Sequence, residues 1–175
     1  MGKLIKGGCL CKKIRYEAAV EPKWISICHC RMCQKAYGNT SAIFVAFDVG
    51  QLEFTSGFPK YFKSSDIAKR GFCSECGSPI VFSYKSLDAV FIGTLDDPEN
   101  WQPNGVHLGI ESQIPWDIIH DDLPQYRTED DPEFIDAFEI GMKNVMMDNQ
   151  LIANLSAFIT IIKVYKYQKS LHELL

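Results

Sequence analysis

The sequence predicts a mainly β protein: an antiparallel sheet domain followed by C-terminal helices. Short β-rich runs bounded by turn residues fill the first two thirds of the 175-residue chain. No helical pattern alternates with them, which argues against a parallel sheet wound by crossovers. Past Asp130-Asp131-Pro132 the apolar spacing becomes helical. With 46% hydrophobic and 23% charged residues the chain is neither disordered nor fibrous.

In chain order, residues 14–18, 24–28, 41–47, 52–55, 60–63, 80–84, 89–93 and 106–110 read as strands. Turn signals separate them: Gly7-Gly8, Glu21-Pro22, Gly38-Asn39, Gly50, Gly57, Ser78-Pro79, Asp97-Pro98 and Pro103-Asn104-Gly105. Residues 31–36 form one helical turn. In the tail, Pro132 stands at a first helical position, and Phe134, Ile135, Phe138, Met142 and Val145 recur at helical spacing. Asn149 caps or breaks this helix before a second, whose stripe is Leu151, Ile152, Leu155, Phe158, Ile159 and Ile162. Asn154, Ser156 and Lys163 interrupt it, so it is too short to span a bilayer. The expected division is a β domain over 1–127 and a helical extension over 128–175. That extension either packs as a hairpin on its own domain or makes the protein a homodimer.

Charge sharpens the division and excludes one class of partner. Residues 1–127 hold 14 basic and 14 acidic side chains, whereas 128–175 hold 4 and 8. No Lys/Arg block exceeds two residues, which argues against a generic nucleic-acid binder. The start Met1-Gly2-Lys3-Leu4-Ile5-Lys6 carries no apolar export segment and no myristoylation signal, so a cytoplasmic protein without a membrane anchor is expected.

Chemistry concentrates in seven cysteines: Cys9, Cys11, Cys28, Cys30, Cys33, Cys73 and Cys76. An odd count without an export signal argues against a disulfide framework. In an extended segment, residues i and i+2 point to one side, so Cys9/Cys11 and Cys28/Cys30 each offer two sulfurs to one ion. Cys73-Ser74-Glu75-Cys76-Gly77 is a knuckle in which Gly77 supplies a positive φ. Zinc takes four protein ligands when structural, and three plus an open position when catalytic, and seven divides accordingly. Spacing leaves open which clusters share an ion, and whether a single four-cysteine site stands beside three idle or redox-active thiols.

Gly8-Cys9-Leu10-Cys11, Cys28-His29-Cys30-Arg31-Met32-Cys33-Gln34-Lys35-Ala36-Tyr37-Gly38, Phe72-Cys73-Ser74-Glu75-Cys76-Gly77, Pro115-Trp116 and Asp121-Asp122-Leu123-Pro124 follow in an order that resembles the glutathione-dependent formaldehyde-activating enzyme family, which includes the centromere protein V proteins. The resemblance implies a zinc-containing β fold of the β-tent type and sorts the ligands. Cys9, Cys11, Cys73 and Cys76 would hold a structural zinc. Cys28, Cys30 and Cys33 would hold a catalytic zinc with one open position, making two Zn2+ per chain. The implied reaction joins glutathione, the small-molecule partner, to formaldehyde as S-(hydroxymethyl)glutathione, formally a carbon–sulfur lyase run in reverse.

Three thiolates on a divalent ion leave a net negative site, better suited to holding an incoming thiol than to activating water. His29, between two ligands, is expected to point away from the metal. His107 is the candidate for moving the hemithioacetal proton at neutral pH, against a plainly structural role in its strand. Trp116 would wall the pocket or sit in the core. Asp121 and Asp122 would bind an amine or serve a turn. Arg31 and Lys35 would meet ligand carboxylates or stay solvated. The competing reading is a non-catalytic, zinc-stabilised protein-binding module, and the basic region expected for the chromatin roles of such relatives is missing.

Overall fold

A computed structural model of the chain describes residues 4–85 and 87–130. The chain divides into two units, Met1–Thr128 and Glu129–Leu175, and the account below is of the first. The tail helices, and any dimer formed through them, lie outside the described residues.

The elements are β1 (Ile5–Gly8), β2 (Arg15–Ala18), β3 (Trp24–Cys28), α1 (Arg31–Tyr37), β4 (Ala42–Asp48), β5 (Glu53–Ser56), β6 (Lys60–Lys63), β7 (Ala68–Phe72), β8 (Pro79–Tyr84), β9 (Leu87–Phe91), β10 (His107–Leu108) and β11 (Gln125–Tyr126). They build a three-stranded sheet, β1-β2-β5, and an eight-stranded sheet, β11-β10-β3-β4-β9-β8-β7-β6. Pairing is antiparallel throughout except at one edge, where β10 runs parallel to both β3 and β11. The mainly β expectation holds, and those two short parallel ladders refine it.

Three strands escape the sequence pattern. β1 ends in Gly7-Gly8, which reads as a turn, yet Gly7 pairs with Tyr16 across the ladder to β2. β7 alternates Lys69, Arg70 and Gly71 with no β-branched residue, and is held extended by pairing with β6 and β8 on its two sides. β11 is only two residues long. Conversely, the strand expected at 89–93 gives way after Phe91 to a 3₁₀ turn, Ile92–Thr94. The one expected at 106–110 stops at Gly109, whose φ is +68°.

β4 positions everything that follows because it is buried on both faces. Val45 and Phe47 join Ile5, Tyr16, Val81 and Val90 in one apolar cluster, which also contains Cys9 and Cys73. Ala42, Phe44 and Ala46 join Ala89 and Phe91 in a second, which contains Cys33 and packs against Cys28 and Cys30. Alternation along one strand thus assigns the two cysteine groups to opposite faces of the larger sheet. Each fully buried side chain of this kind contributes about 1.5–3 kcal/mol. No helix among the described residues is long and apolar enough to cross a membrane.

Candidate metal centres

The first centre joins two loops far apart in sequence. Between β1 and β2 the chain turns tightly, with Lys12 N–H donating to the Cys9 carbonyl at 2.9 Å and Ile14 N–H donating to Cys9 Sγ at 3.2 Å. Between β7 and β8, Gly77 N–H donates to the Cys73 carbonyl at 2.9 Å, with Gly77 at φ +75°. Leu10 N–H reaches across to the Ser78 hydroxyl at 3.1 Å. The sulfurs of Cys9, Cys11, Cys73 and Cys76 all lie within 4.8 Å of one another, with Cys9–Cys11 at 3.5 Å and Cys11–Cys73 at 3.7 Å. A tetrahedral Zn–S shell with bonds near 2.3 Å has S···S edges of about 3.8 Å, so the donor set fits zinc. The Ser78 hydroxyl, then backbone N–H groups of Ser78 and Cys11, pull the Cys76 thiol down to about 5, ready to bind as thiolate.

The second centre comes from one short segment. Cys28 ends β3, Cys30 caps α1 with its sulfur accepting from Cys33 N–H at 3.4 Å, and Cys33 sits buried in the first turn. The three sulfurs again lie within 4.8 Å of one another. Among the described residues these two groups are the clusters of three or more His, Cys, Asp or Glu placed to hold an ion. Hydrogen bonds from Cys28 and Cys33 pull the Cys30 thiol down to about 2, while Cys28 is pushed up by its thiol neighbours and by burial. The group by itself favours one ionised sulfur, and a cation is what draws off the remaining protons. Three protein donors leave a tetrahedral ion one position to fill.

Two features lie beside this centre, of which the first gave no signal in the sequence and the second joins the candidates His107 and Asp121 to His29. Arg70 on β7 is 8% exposed, with Nη2 at 3.8 Å from Cys33 Sγ and Nη1 donating to the Tyr37 hydroxyl. Its guanidinium lies 4.8 Å from the Phe82 ring centre and 5.0 Å from that of Tyr37. A lone arginine in a polar strand gives no sequence signal. Arg70 also walls a cavity of about 450 Å³ with Met32, Lys35, Tyr37, Phe62 and Phe72.

The second feature is a chain of hydrogen bonds through two buried histidines. His107 Nε2 lies 3.0 and 3.2 Å from the Asp121 carboxylate oxygens, and its Nδ1 lies 2.8 Å from His29 Nε2. Asp121 also accepts from Leu123 N–H at 3.0 Å, and this bond, then that from His107, holds its carboxyl below the usual range. An ionised Asp121 makes His107 Nε2–H the donor; where His107 carries that one proton, its Nδ1 accepts from His29 Nε2–H, and His29 Nδ1 is a buried atom with no partner. Burial, then the neighbouring His107, pushes His29 towards its neutral form. His29 N–H donates to the Leu108 carbonyl at 2.8 Å, and Gln34 Nε2 bridges the His29 and Ser112 carbonyls.

The structure sorts the remaining candidates. His107 lies beside the three-cysteine segment, but His29 and Asp121 occupy both of its nitrogens. Asp121 performs the turn duty and also anchors His107. Asp122 lines a separate hollow with Gln102 and Pro103. Trp116 is 72% exposed, so it is not a core residue, and it is absent from the wall of the cavity at Arg70. Arg31 is turned to Gln34 Oε1, and Lys35 is exposed on the cavity wall.

Comparison with known proteins follows the same residues. Residues 4–109, containing all seven cysteines and His107, match the family described as glutathione-dependent formaldehyde-activating enzyme. Over 82 residues the chain is 38% identical to a Schizosaccharomyces pombe protein named as an uncharacterized lyase, covering 45% of this chain and 57% of that one. The chain thus matches little more than half the length of that relative. A crystal structure of a Rhodobacter sphaeroides protein aligns with a TM-score of 0.45 at 21% identity, over 69% of this chain and 99% of that one.

Proposed function

This chain belongs to the glutathione-dependent formaldehyde-activating enzyme family, and we propose that it is a cytoplasmic, zinc-dependent carbon–sulfur lyase-type enzyme that joins glutathione or a similar thiol to formaldehyde or a related aldehyde. The observation that carries the reading is the inequality of the two centres: four sulfurs close one, whereas Cys28, Cys30 and Cys33 offer three at the other. On this reading each centre takes one zinc, structural in the first and catalytic in the second. Zinc bound by Cys28, Cys30 and Cys33 would supply an open position at which a thiol is held deprotonated yet nucleophilic.

The chain's own residues do the rest. The cavity walled by Met32, Tyr37, Phe62 and Arg70, whose guanidinium lies 3.8 Å from Cys33 Sγ, would give the thiol's body a place, and proximity of the reactants would supply much of the rate. In the forward direction a C–S bond forms, the carbonyl π bond breaks, and the proton lost by sulfur is made good on the new hydroxyl. No electrons enter or leave. On this reading the proton passes along the hydrogen-bonded row His29, His107 and Asp121, with His107 relaying it between its two partners.

Exchange NMR on a panel of thiols and aldehydes tests the reading. Wild type is expected to accelerate exchange for at least one pair, and Cys30→Ser to abolish the acceleration. No acceleration with any pair would overturn it and leave the zinc-stabilised binding module.

A further inference from the structure

Among the described residues Arg70 is the Lys or Arg side chain that is buried. A guanidinium does not shed its proton, and taking it out of water without an anion is costly. No carboxylate among the described residues pairs with Arg70. The group it faces is Cys33, whose sulfur lies 3.8 Å from Nη2 and would be a thiolate once it holds a metal. Nη1 is taken by the Tyr37 hydroxyl, the rings of Phe82 and Tyr37 flank the guanidinium, and Nε has no partner. The cation is therefore held against the three-cysteine centre at fixed distance and in poor dielectric, where a charge acts most strongly.

Three thiolates around a divalent ion leave one net negative charge, and an anionic ligand at the open position makes two. Arg70 cancels one of them. We propose that Arg70 is the specificity-determining residue of the three-cysteine centre, selecting a ligand that binds as an anion, such as a thiolate, over a neutral donor. This deepens the proposed function and rests on the second centre holding a metal. When a thiol binds, its S–H bond breaks, the proton leaves to the buffer and the sulfur lone pair meets the metal. The ligand arrives neutral and stays as an anion, and the fixed guanidinium favours that outcome without itself changing charge. Lys35 lines the same cavity but is exposed, so water and salt screen it.

The test uses the full chain loaded with Co2+, two ions per chain being confirmed by native mass spectrometry. Glutathione, azide and neutral imidazole are titrated while the d–d and thiolate-to-cobalt bands are followed. Arg70→Met is expected to weaken glutathione and azide by about tenfold or more and to leave imidazole within about twofold. A lysine outside the cavity is the control: Lys23→Met, exposed and paired with Asp48, is expected to change all three by no more than about twofold. Undiminished affinity for both anions in Arg70→Met would overturn the proposal, as would equal weakening of imidazole, which marks a packing role. If Arg70→Met does not fold, Arg70→Lys decides: it keeps the charge, so its anion-to-imidazole preference must stay within about threefold of wild type, and a larger fall overturns the proposal. Wild type that takes azide but neither glutathione nor any other thiol of the panel would overturn the proposed function, while the azide-to-imidazole ratio still reads Arg70.

Discussion

The two cysteine centres use the same atom for different physical ends. The first gathers Cys9 and Cys11 from the loop after β1 and Cys73 and Cys76 from the loop after β7, so an ion there ties segments whose nearest ligands, Cys11 and Cys73, are 62 residues apart. The second gathers Cys28, Cys30 and Cys33 from a strand end and the helix turn that follows it. An ion in the first centre closes a long loop and replaces ordering entropy that the small sheet would otherwise have to supply. In the second, the hydrogen bond from His29 N–H to the Leu108 carbonyl and the cap of α1 already fix the segment. On the proposed function, stability and chemistry would thereby be separated onto the two faces of β4.

Breaking one ligand in each centre gives the largest expected contrast. Cys76→Ser should remove most of the roughly 5–15 kcal/mol that holds a domain of this kind, because the ion's binding energy there is folding energy. Cys30→Ser should lose the second ion and stay within about 1 kcal/mol of wild type. Thermal unfolding by circular dichroism, with metal counted on the same samples, checks both. Equal loss in the two variants would erase the distinction between the centres.

A chelator sharpens the same contrast without mutation. The second ion, held by three protein ligands, should leave first and with the far-ultraviolet spectrum unchanged. The first should leave later and together with the fold. Simultaneous loss of both ions with unfolding would mean that the second centre also carries the structure.

This contrast explains what the sequence disclosed. Ligand clusters are legible because a metal demands fixed residue types at short spacing, and all seven cysteines fall where their motifs place them. Central strands such as β3 and β4 are legible because their apolar patterns announce burial. β7 is not, since its strand state comes from pairing partners on both sides. Arg70 is invisible for the same reason: it meets Cys33 only through tertiary packing across 37 residues. His107 stood out, but its partners His29 and Asp121 are brought to it by the parallel register of β10 with β3 and the return of the chain to β11. Trp116 carried no signal for exposure, because a Pro-Trp pair serves a core or a surface equally well.

Glycine substitutions probe the loops at smaller cost. Gly109 and Gly77 both hold positive φ, so alanine at either costs about 1–2 kcal/mol of backbone strain. A Cβ at Gly109 would lie 2.9 Å from both the backbone N and the Cβ of Cys30, whereas at Gly77 it would meet nothing within 4 Å. Gly109→Ala should therefore displace Cys30 and weaken the second ion at least about tenfold, a further 1.4 kcal/mol or so. Gly77→Ala should cost the strain alone and leave both ions bound. Competition with a chromophoric chelator measures the difference, and matched affinities at the second centre would show that the Cys30 loop yields freely.

The smallest effect concerns the histidine pair, and its sign follows from Asp121. The N–H of Leu123 and then His107 depress the Asp121 carboxyl, so its stabilising contribution is present above the ordinary carboxylate pKa and is lost only as pH falls through the still lower folded value. Between about pH 6 and 8 Asp121 is ionised throughout, well above the usual carboxylate value near 3.9. An ionised Asp121 keeps a proton on His107 Nε2, so two-bond ¹H–¹⁵N correlation should show that nitrogen protonated across the range. Asp121→Ala removes the acceptor and leaves His107 free to exchange tautomers, while the four-cysteine centre on the other face of β4 should not respond. An unchanged tautomer in that variant would show that His29 and the surrounding packing, and not Asp121, orient His107.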